Sequence, residues 1–265
     1  MKKINKILLF IFITCIVHFA SAQPVHEIKH SDTAKPVLLA HPVLHNSIKV
    51  NLSSLAFQNY SISYERLIKN KVSIMASYRY MPFTQLPYHQ NIAQIISNQN
   101  INFNQVALGN STFTAELRIY AHKNMSGFYL APYGRYANFD LSVPVQYSFN
   151  QNGSTTTKET VFSGNVTSYS GGLLFGFQKH LGNHLLLDVW LIGAHFGNGT
   201  GILNTSFSPP LSTQEQASLQ GNLNNLNGGP FTVKGTVTSS TSANLNLTGP
   251  WLGIRALGIN LGIAF

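Results

Sequence analysis

The segment from Trp251 to Phe265 constrains the chain most. Phe265, Ile263, Leu261, Ile259 and Leu257 are large and apolar, whereas Ala264, Gly262, Asn260, Gly258 and Ala256 are small or polar. Successive side chains of a strand point to opposite faces, so this segment has one greasy face and one small, partly polar face. Two environments fit it. One is the last strand of a soluble sandwich. The other is a strand with lipid on its greasy side and a barrel lumen on its small side.

The N-terminus and the composition favour the second. Lys2, Lys3 and Lys6 precede an apolar run from Ile7 to Phe19 and then Ala20-Ser21-Ala22. That is the layout of a secretory signal peptide, with residues 1–22 removed. Cys15, the one cysteine, lies inside the apolar run after Thr14, which does not suit lipoprotein-type cleavage. The mature chain is therefore expected to have no disulfide and no thiolate chemistry. Beyond the signal, no run approaches the roughly 20 apolar residues of a spanning helix. That excludes a helical inner-membrane protein and leaves a barrel open, because barrel strands alternate. Only 9% of residues are charged, against about 25% in ordinary soluble domains. The net charge of +9 falls to +6 without the three signal lysines, and export argues against nucleic acid as a partner.

Residues 23–46 carry Pro24, Pro36 and Pro42 and read as a periplasmic linker. His26, Glu27 and His30, and the i, i+4 pair His41 and His45, have spacings a metal could use. No cysteine and no regular element fixes a geometry, so a solvated tail is expected, with no metal or cofactor.

Alternation begins at Ser47. Ile48 and Val50 oppose Lys49 and Asn51; Tyr60, Ile62 and Tyr64 oppose Ser61, Ser63 and Glu65; Val72, Ile74, Ala76, Tyr78 and Tyr80 oppose Ser73, Met75, Ser77 and Arg79. A fourth strand sets Phe113, Ala115, Leu117 and Ile119 against Thr114, Glu116 and Arg118. Phe128–Asn150 and Thr157–Gln178 read as one long hairpin turning at Asn152-Gly153. A seventh strand holds Leu185, Leu187 and Val189 against Leu186, Asp188 and Trp190, and the closing strand is the eighth. Lys69-Asn70, Lys123-Asn124 and Gly182-Asn183 supply short turns. Residues 81–111, 137–167 and 196–249 are expected to form or tip long loops. Ile92, Ile95 and Ile96 suit a short helix in the first. Ser212 and Glu215 have capping-box spacing before Leu219 and Leu223 in the last, and Phe231–Val237 suits a strand extension.

The expected fold is all-β: an eight-stranded antiparallel transmembrane β-barrel over residues 47–265, with short periplasmic turns and long extracellular loops. The segments KVNLSSLAFQNYSISYE (Lys49–Glu65), FYLAPYGRY (Phe128–Tyr136), GGLLFGFQKHLG (Gly171–Gly182) and GINLGIAF (Gly258–Phe265) carry a resemblance. The chain resembles the small OmpA/OmpX-type barrels of Gram-negative outer membranes, and more closely an uncharacterised family of small secreted barrels with the same layout. The resemblance implies location in the cell outer membrane and contact with its lipids. It also implies that the barrel assembly machinery reads a closing signal, here Phe265, Ile263, Leu261 and Ile259. No peptidoglycan-binding domain is expected after the barrel.

Strand parity places Lys49, Glu65, Arg79, Glu116, Arg118, Arg135 and Asp188 in the lumen. Side chains just fill a lumen of this size, so these charges are expected to pair as a structural network. Glu65, Arg79, Glu116 and Arg118 are its expected core. No catalytic motif is present, and the expected role is structural or surface interaction. The Asn-, Ser- and Thr-rich loops suit an extracellular glycan or protein. Arg66, Lys69, Lys71, Lys123 and Lys179 are expected at the periplasmic turns, beside phospholipid headgroups. Two alternatives remain: a lipid-modifying enzyme (lipid A deacylase or acyltransferase type) using His195 with Ser206 or Ser208, and a narrow gated channel.

Overall fold

The computed structural model describes residues 44–85, 105–151, 153–226 and 231–265. The signal segment, the histidines of the linker before Val43 and the helix expected around Ile92 lie outside them. Among the described residues there are nine strands: β1 (Asn46–Asn51), β2 (Tyr60–Lys69), β3 (Val72–Gln85), β4 (Ala107–His122), β5 (Ser126–Gln151), β6 (Ser154–His180), β7 (Leu185–Ser206), β8 (Thr232–Ser239) and β9 (Ser242–Ala264). Two helices accompany them, α1 (Leu52–Leu55) and α2 (Thr213–Asn224).

All strand pairs are antiparallel, in the order β1-β2-β3-β4-β5-β6-β7-β9, and β1 pairs with β9 to close a ring of eight. β8 adds to the edge of β9 and stays outside the ring. At the seam the Asn46 N–H donates to the Phe265 carbonyl at 2.9 Å, and the reverse bond is also 2.9 Å. The end of the ring that holds this seam is called here the terminal end. The tight connections around Asn70, Asn124 and Gly182 are also there, and the last two depend on positive φ at Asn124, Met125 and Gly182.

Through the ring, the outward face is apolar and the inward face polar or small. Ile48, Ile62, Ile74, Phe113, Leu117, Leu130, Leu173 and Ile192 are exposed, while Lys49, Glu65, Arg118 and Asp188 are buried. Alternation produces this wherever it runs unbroken. It breaks at two places. In β7 the register with β6 shifts beside Leu191, and in β9 Leu257 takes φ 56° with Ala256 and Leu257 both facing out. Each break acts as a β-bulge, reversing the parity of what lies beyond it. His195 and Arg255 therefore point inward, and Ala256 does not share the small face expected for it.

The long hairpin expected over Phe128–Asn150 and Thr157–Gln178 is present, and part of what was expected as loop elsewhere is sheet. Residues 137–150 and 154–167 continue β5 and β6 in unbroken register to a turn at Gly153, where φ is +80°. β7 runs to Ser206 and β9 starts at Ser242, paired throughout. The third stretch is shortened too, with β3 reaching Gln85 and β4 starting at Ala107. These arms rise past the ring, and there the pattern inverts. Val145, Tyr147, Phe149, Phe162, Leu203 and Leu245 bury against Leu219 and Leu223 of α2. The helix begins as its sequence required: Glu215 N–H donates to Ser212 Oγ at 3.3 Å, and Ser212 N–H donates to Glu215 Oε2 at 2.8 Å.

Candidate functional site

The ring interior is built in layers. At the terminal end, Leu67, Tyr120, Met125, Tyr129, Ala131 and Leu174 form an apolar floor. Above it lies a network of buried charges from five strands, joined by Gln178 of a sixth. Lys49 Nζ meets Glu65 Oε2 at 2.5 Å, Asp188 Oδ2 at 2.9 Å and Gln178 Oε1 at 2.6 Å. Arg118 joins Asp188 Oδ2 through Nη1 at 2.8 Å and Glu116 Oε2 through Nε at 2.9 Å. Arg255 Nη1 reaches the other oxygen of Glu116 at 2.8 Å.

The remaining carboxylate oxygens are also bonded. Tyr120 donates to Glu65 at 2.6 Å and Tyr129 to Asp188 at 2.7 Å, and Ser73 donates to the same Glu65 oxygen as Tyr120. Tyr129 crosses the interior close to Gly176, where a Cβ would collide with its hydroxyl. Three cations, Lys49, Arg118 and Arg255, meet three carboxylates, Glu65, Glu116 and Asp188, so the network is neutral. Buried ions are tolerated on these terms, paired and with their hydrogen bonds made.

The structure thus brings together five of the seven charges expected in the lumen: Lys49, Glu65, Glu116, Arg118 and Asp188. Arg79 and Arg135 face inward but do not join. Glu65 and Glu116 both sit opposite Met75, whereas Arg79 is paired with Ser61 and Thr112 four residues further along β3, roughly 13 Å at 3.3 Å per residue. The expected partnership of Arg79 with Glu65 and Glu116 is therefore corrected. Among the described residues its polar contact is Nη2 to Asn110 Oδ1 at 3.4 Å, and its Nε is buried without a partner there.

Sequence reasoning missed Arg255, Gln178, Tyr120 and Tyr129. The last three were legible from parity. Arg255 was hidden by the bulge that turns it inward.

Above the network lies a cavity of about 580 Å³ lined by Arg79, Arg135, Arg255, His195, Trp190 and Trp251 among others. The Arg255 guanidinium stacks on Trp190 at 4.2 Å and on Tyr133 at 4.8 Å. His195 Nδ1 is 3.0 Å from the Tyr133 hydroxyl, and its Nε2 fits where a side chain on Gly253 would stand. His195 and Ser206, considered above as catalytic partners, lie eleven residues apart on one strand, roughly 35 Å. They cannot act on one bond. Among the described residues, no cluster of His, Cys, Asp and Glu has metal-binding geometry.

Of the residues expected to form a closing signal, Phe265, Ile263 and Ile259 face outward and are exposed, and Leu261 is half-buried. Arg66, Lys69, Lys71, Lys123 and Lys179 are exposed at the terminal end.

No curated protein matches the chain. Residues 11–198, from before β1 into the outer half of β7, match a family described as "Protein of unknown function (DUF3575)". On that match, which spans most of its length, the chain belongs to this family.

Proposed function

We propose that this protein is an exported outer-membrane β-barrel, OmpA/OmpX-like in layout, with a structural and surface-interaction role rather than a catalytic one. The observation that carries the reading is the inside-out distribution of side chains in the ring: salt bridges within, bare aliphatic and aromatic side chains without. Water makes such an arrangement unfavourable on both faces, and a bilayer makes it favourable on both.

The outward face also changes character where a membrane boundary would require it. On β5 it is apolar from Phe128 to Tyr136 and, apart from Pro144, polar from Asn138 onward; on β6 it is apolar from Phe177 to Tyr169 and, apart from Val161, polar from Thr167 onward. Those spans match the roughly 9–11 residues of a tilted membrane strand. Phe113, Tyr136, Tyr169 and Phe196 border the change on neighbouring strands, as an interfacial aromatic girdle would.

The terminal end, with its tight turns and exposed Arg and Lys, then faces the periplasm, beside phospholipid headgroups and the assembly machinery. The long arms under α2 face outward, where their Asn, Ser and Thr surfaces offer hydrogen bonds to a glycan or protein. The neutral network supports a plugged interior over an open channel.

The test is fractionation followed by gel mobility. The protein should partition with outer membranes and migrate faster when unboiled than when boiled. Recovery from the soluble periplasm with no such shift overturns the reading.

A further inference from the structure

The ring wall has a gap. β1 stops at Asn51, whose side chain turns to cap α1 by accepting from Ser54 N–H at 2.7 Å. β1 therefore covers β9 only from Asn260 to Ala264, and β8 covers it only from Ser242 to Thr248. Among the described residues, no strand pairs with that edge of β9 between Trp251 and Gly258. The 580 Å³ cavity is lined by this strand-free stretch on one side, with Ser53, Ser54 and Phe57 of α1 and the turn after it packed beside it (Ile259 N–H donates to Ser53 Oγ at 3.2 Å), and by the inward residues Arg79 and Arg135 on the other. It is within the size range of small-molecule sites.

The cavity's charge is unbalanced. Among the described residues, no Asp or Glu lines it. The guanidiniums of Arg79, Arg135 and Arg255 repel one another, and His195 lies in the same field. Arg255 is matched by Glu116, but neither Arg79 nor Arg135 has a carboxylate partner among the described residues. Desolvated cations left in this state call for an anion, and guanidiniums bind oxyanions through paired, charge-assisted bonds. The outside of the gap is as apolar as its inside is cationic. Leu252, Ile254 and Leu257 flank it and are 67%, 78% and 60% exposed, Ile254 being the most exposed large apolar residue described.

We propose that the gap beside β9 admits an amphiphile with one anionic head, a phosphate or carboxylate. Arg79, Arg135 and Arg255 clamp the head inside the cavity, and the acyl tail lies outside along Leu252, Ile254 and Leu257. The proposal rests on the membrane reading for its source of amphiphile, because the tail needs lipid around it.

The experiment uses the folded protein in uncharged detergent, with the unboiled gel shift as a separate check of the barrel. Intrinsic fluorescence of Trp190 and Trp251 is followed during titration with dodecyl phosphate, hexyl phosphate and inorganic phosphate. Saturable binding is expected for dodecyl phosphate, at least tenfold weaker for hexyl phosphate and weaker again for inorganic phosphate. Arg79→Gln and Arg135→Gln lie outside the neutral network, and each should keep the gel shift and lose about tenfold in affinity, the scale of one charge-assisted bond. Ile254→Ser should reduce the difference between dodecyl and hexyl phosphate while leaving inorganic phosphate unchanged. Equal binding of all three probes would assign the cavity to small soluble anions and overturn the amphiphile. Absence of saturable binding by protein that shows the gel shift overturns the site and leaves the barrel standing.

Discussion

β5 and β6 pass through two regions that obey opposite rules. Within the ring they turn Leu130, Leu173 and Phe175 outward, with Tyr129 and Gln178 inward to the charge network. Beyond it the same strands, in the same register and parity, turn Ser142, Ser163 and Asn165 outward and bury Val145, Tyr147 and Phe162 beneath α2. Backbone geometry does not change between the two. On the membrane reading proposed above, what changes is the medium each face meets, so one strand specifies two solvents along its length. The buried charges cost least where they neutralise one another, and the larger apolar core lies in the arms.

The largest effect that separates the regions should come from the network. Arg118→Met removes the cation shared by Glu116 and Asp188 and should cost about 3–5 kcal/mol, read from denaturant unfolding in detergent or lipid. Adding Asp188→Asn should recover part of that loss. Arg79→Met should leave the unfolding midpoint unchanged or raised, since its guanidinium is opposed by Arg255 and joins no ion pair. Equal losses for Arg118→Met and Arg79→Met would erase the distinction between network and cavity.

The outward faces give the next contrast. Leu173→Arg, in the middle of the apolar stretch of β6, should cost about 2–4 kcal/mol in a bilayer. Ser163→Arg, on the same strand above the boundary and exposed, should stay within about 0.5 kcal/mol. Similar costs at the two positions would remove the boundary.

A smaller, local effect is expected from Ser212→Ala. It deletes the acceptor for Glu215 N–H and should cost about 1 kcal/mol. Protease sensitivity should rise in α2 while the unboiled gel shift of the ring persists.

Acid should produce the smallest effect. Lys158, 2.6 Å away, and then the Ser212 backbone N–H hold the Glu215 carboxyl at about 2, below its ordinary 4.5. A depressed carboxyl stabilises the fold above its ordinary value and loses that contribution as pH falls from about 4.5 through about 2. Lys158 is open to solvent, which screens the pair. Pepsin digestion across that window should cut near α2 earlier in the wild type as pH falls, and Lys158→Met should flatten the dependence.

Much of this was readable in the chain. The capping box at Ser212, the tight turns and the inward parity of Lys49, Glu65, Glu116, Arg118 and Asp188 all follow from local rules. Parity assigns a face but not a height. Arg79 shares a face with Glu65 and Glu116, and only the pairing register separates them by four residues. Parity also fails beyond a bulge, which is why the alternation counted back from Phe265 does not bring Arg255 inward. The long hairpin of β5 and β6 was readable from its alternation and from Asn152-Gly153, whereas the outer part of β7 and the start of β9 read as loop because they are rich in Gly, Asn, Ser and Thr. Ala243, Leu245 and Leu247 alternate in the latter, and threonine is itself a good strand former.

The seam between Asn46 and Phe265 has a kinetic consequence. The β5–β6 arms meet across one tight turn, so their pairing closes almost no loop. The seam joins residues 219 positions apart, and loop-closure entropy makes such a contact slow to form until the intervening strands shorten the path. The hairpin should therefore zip first and the cylinder close last. Until then the strand carrying Phe265 has a free edge, able to template pairing with any other strand it meets. A factor that gripped that edge would both suppress mispairing and set the moment of closure.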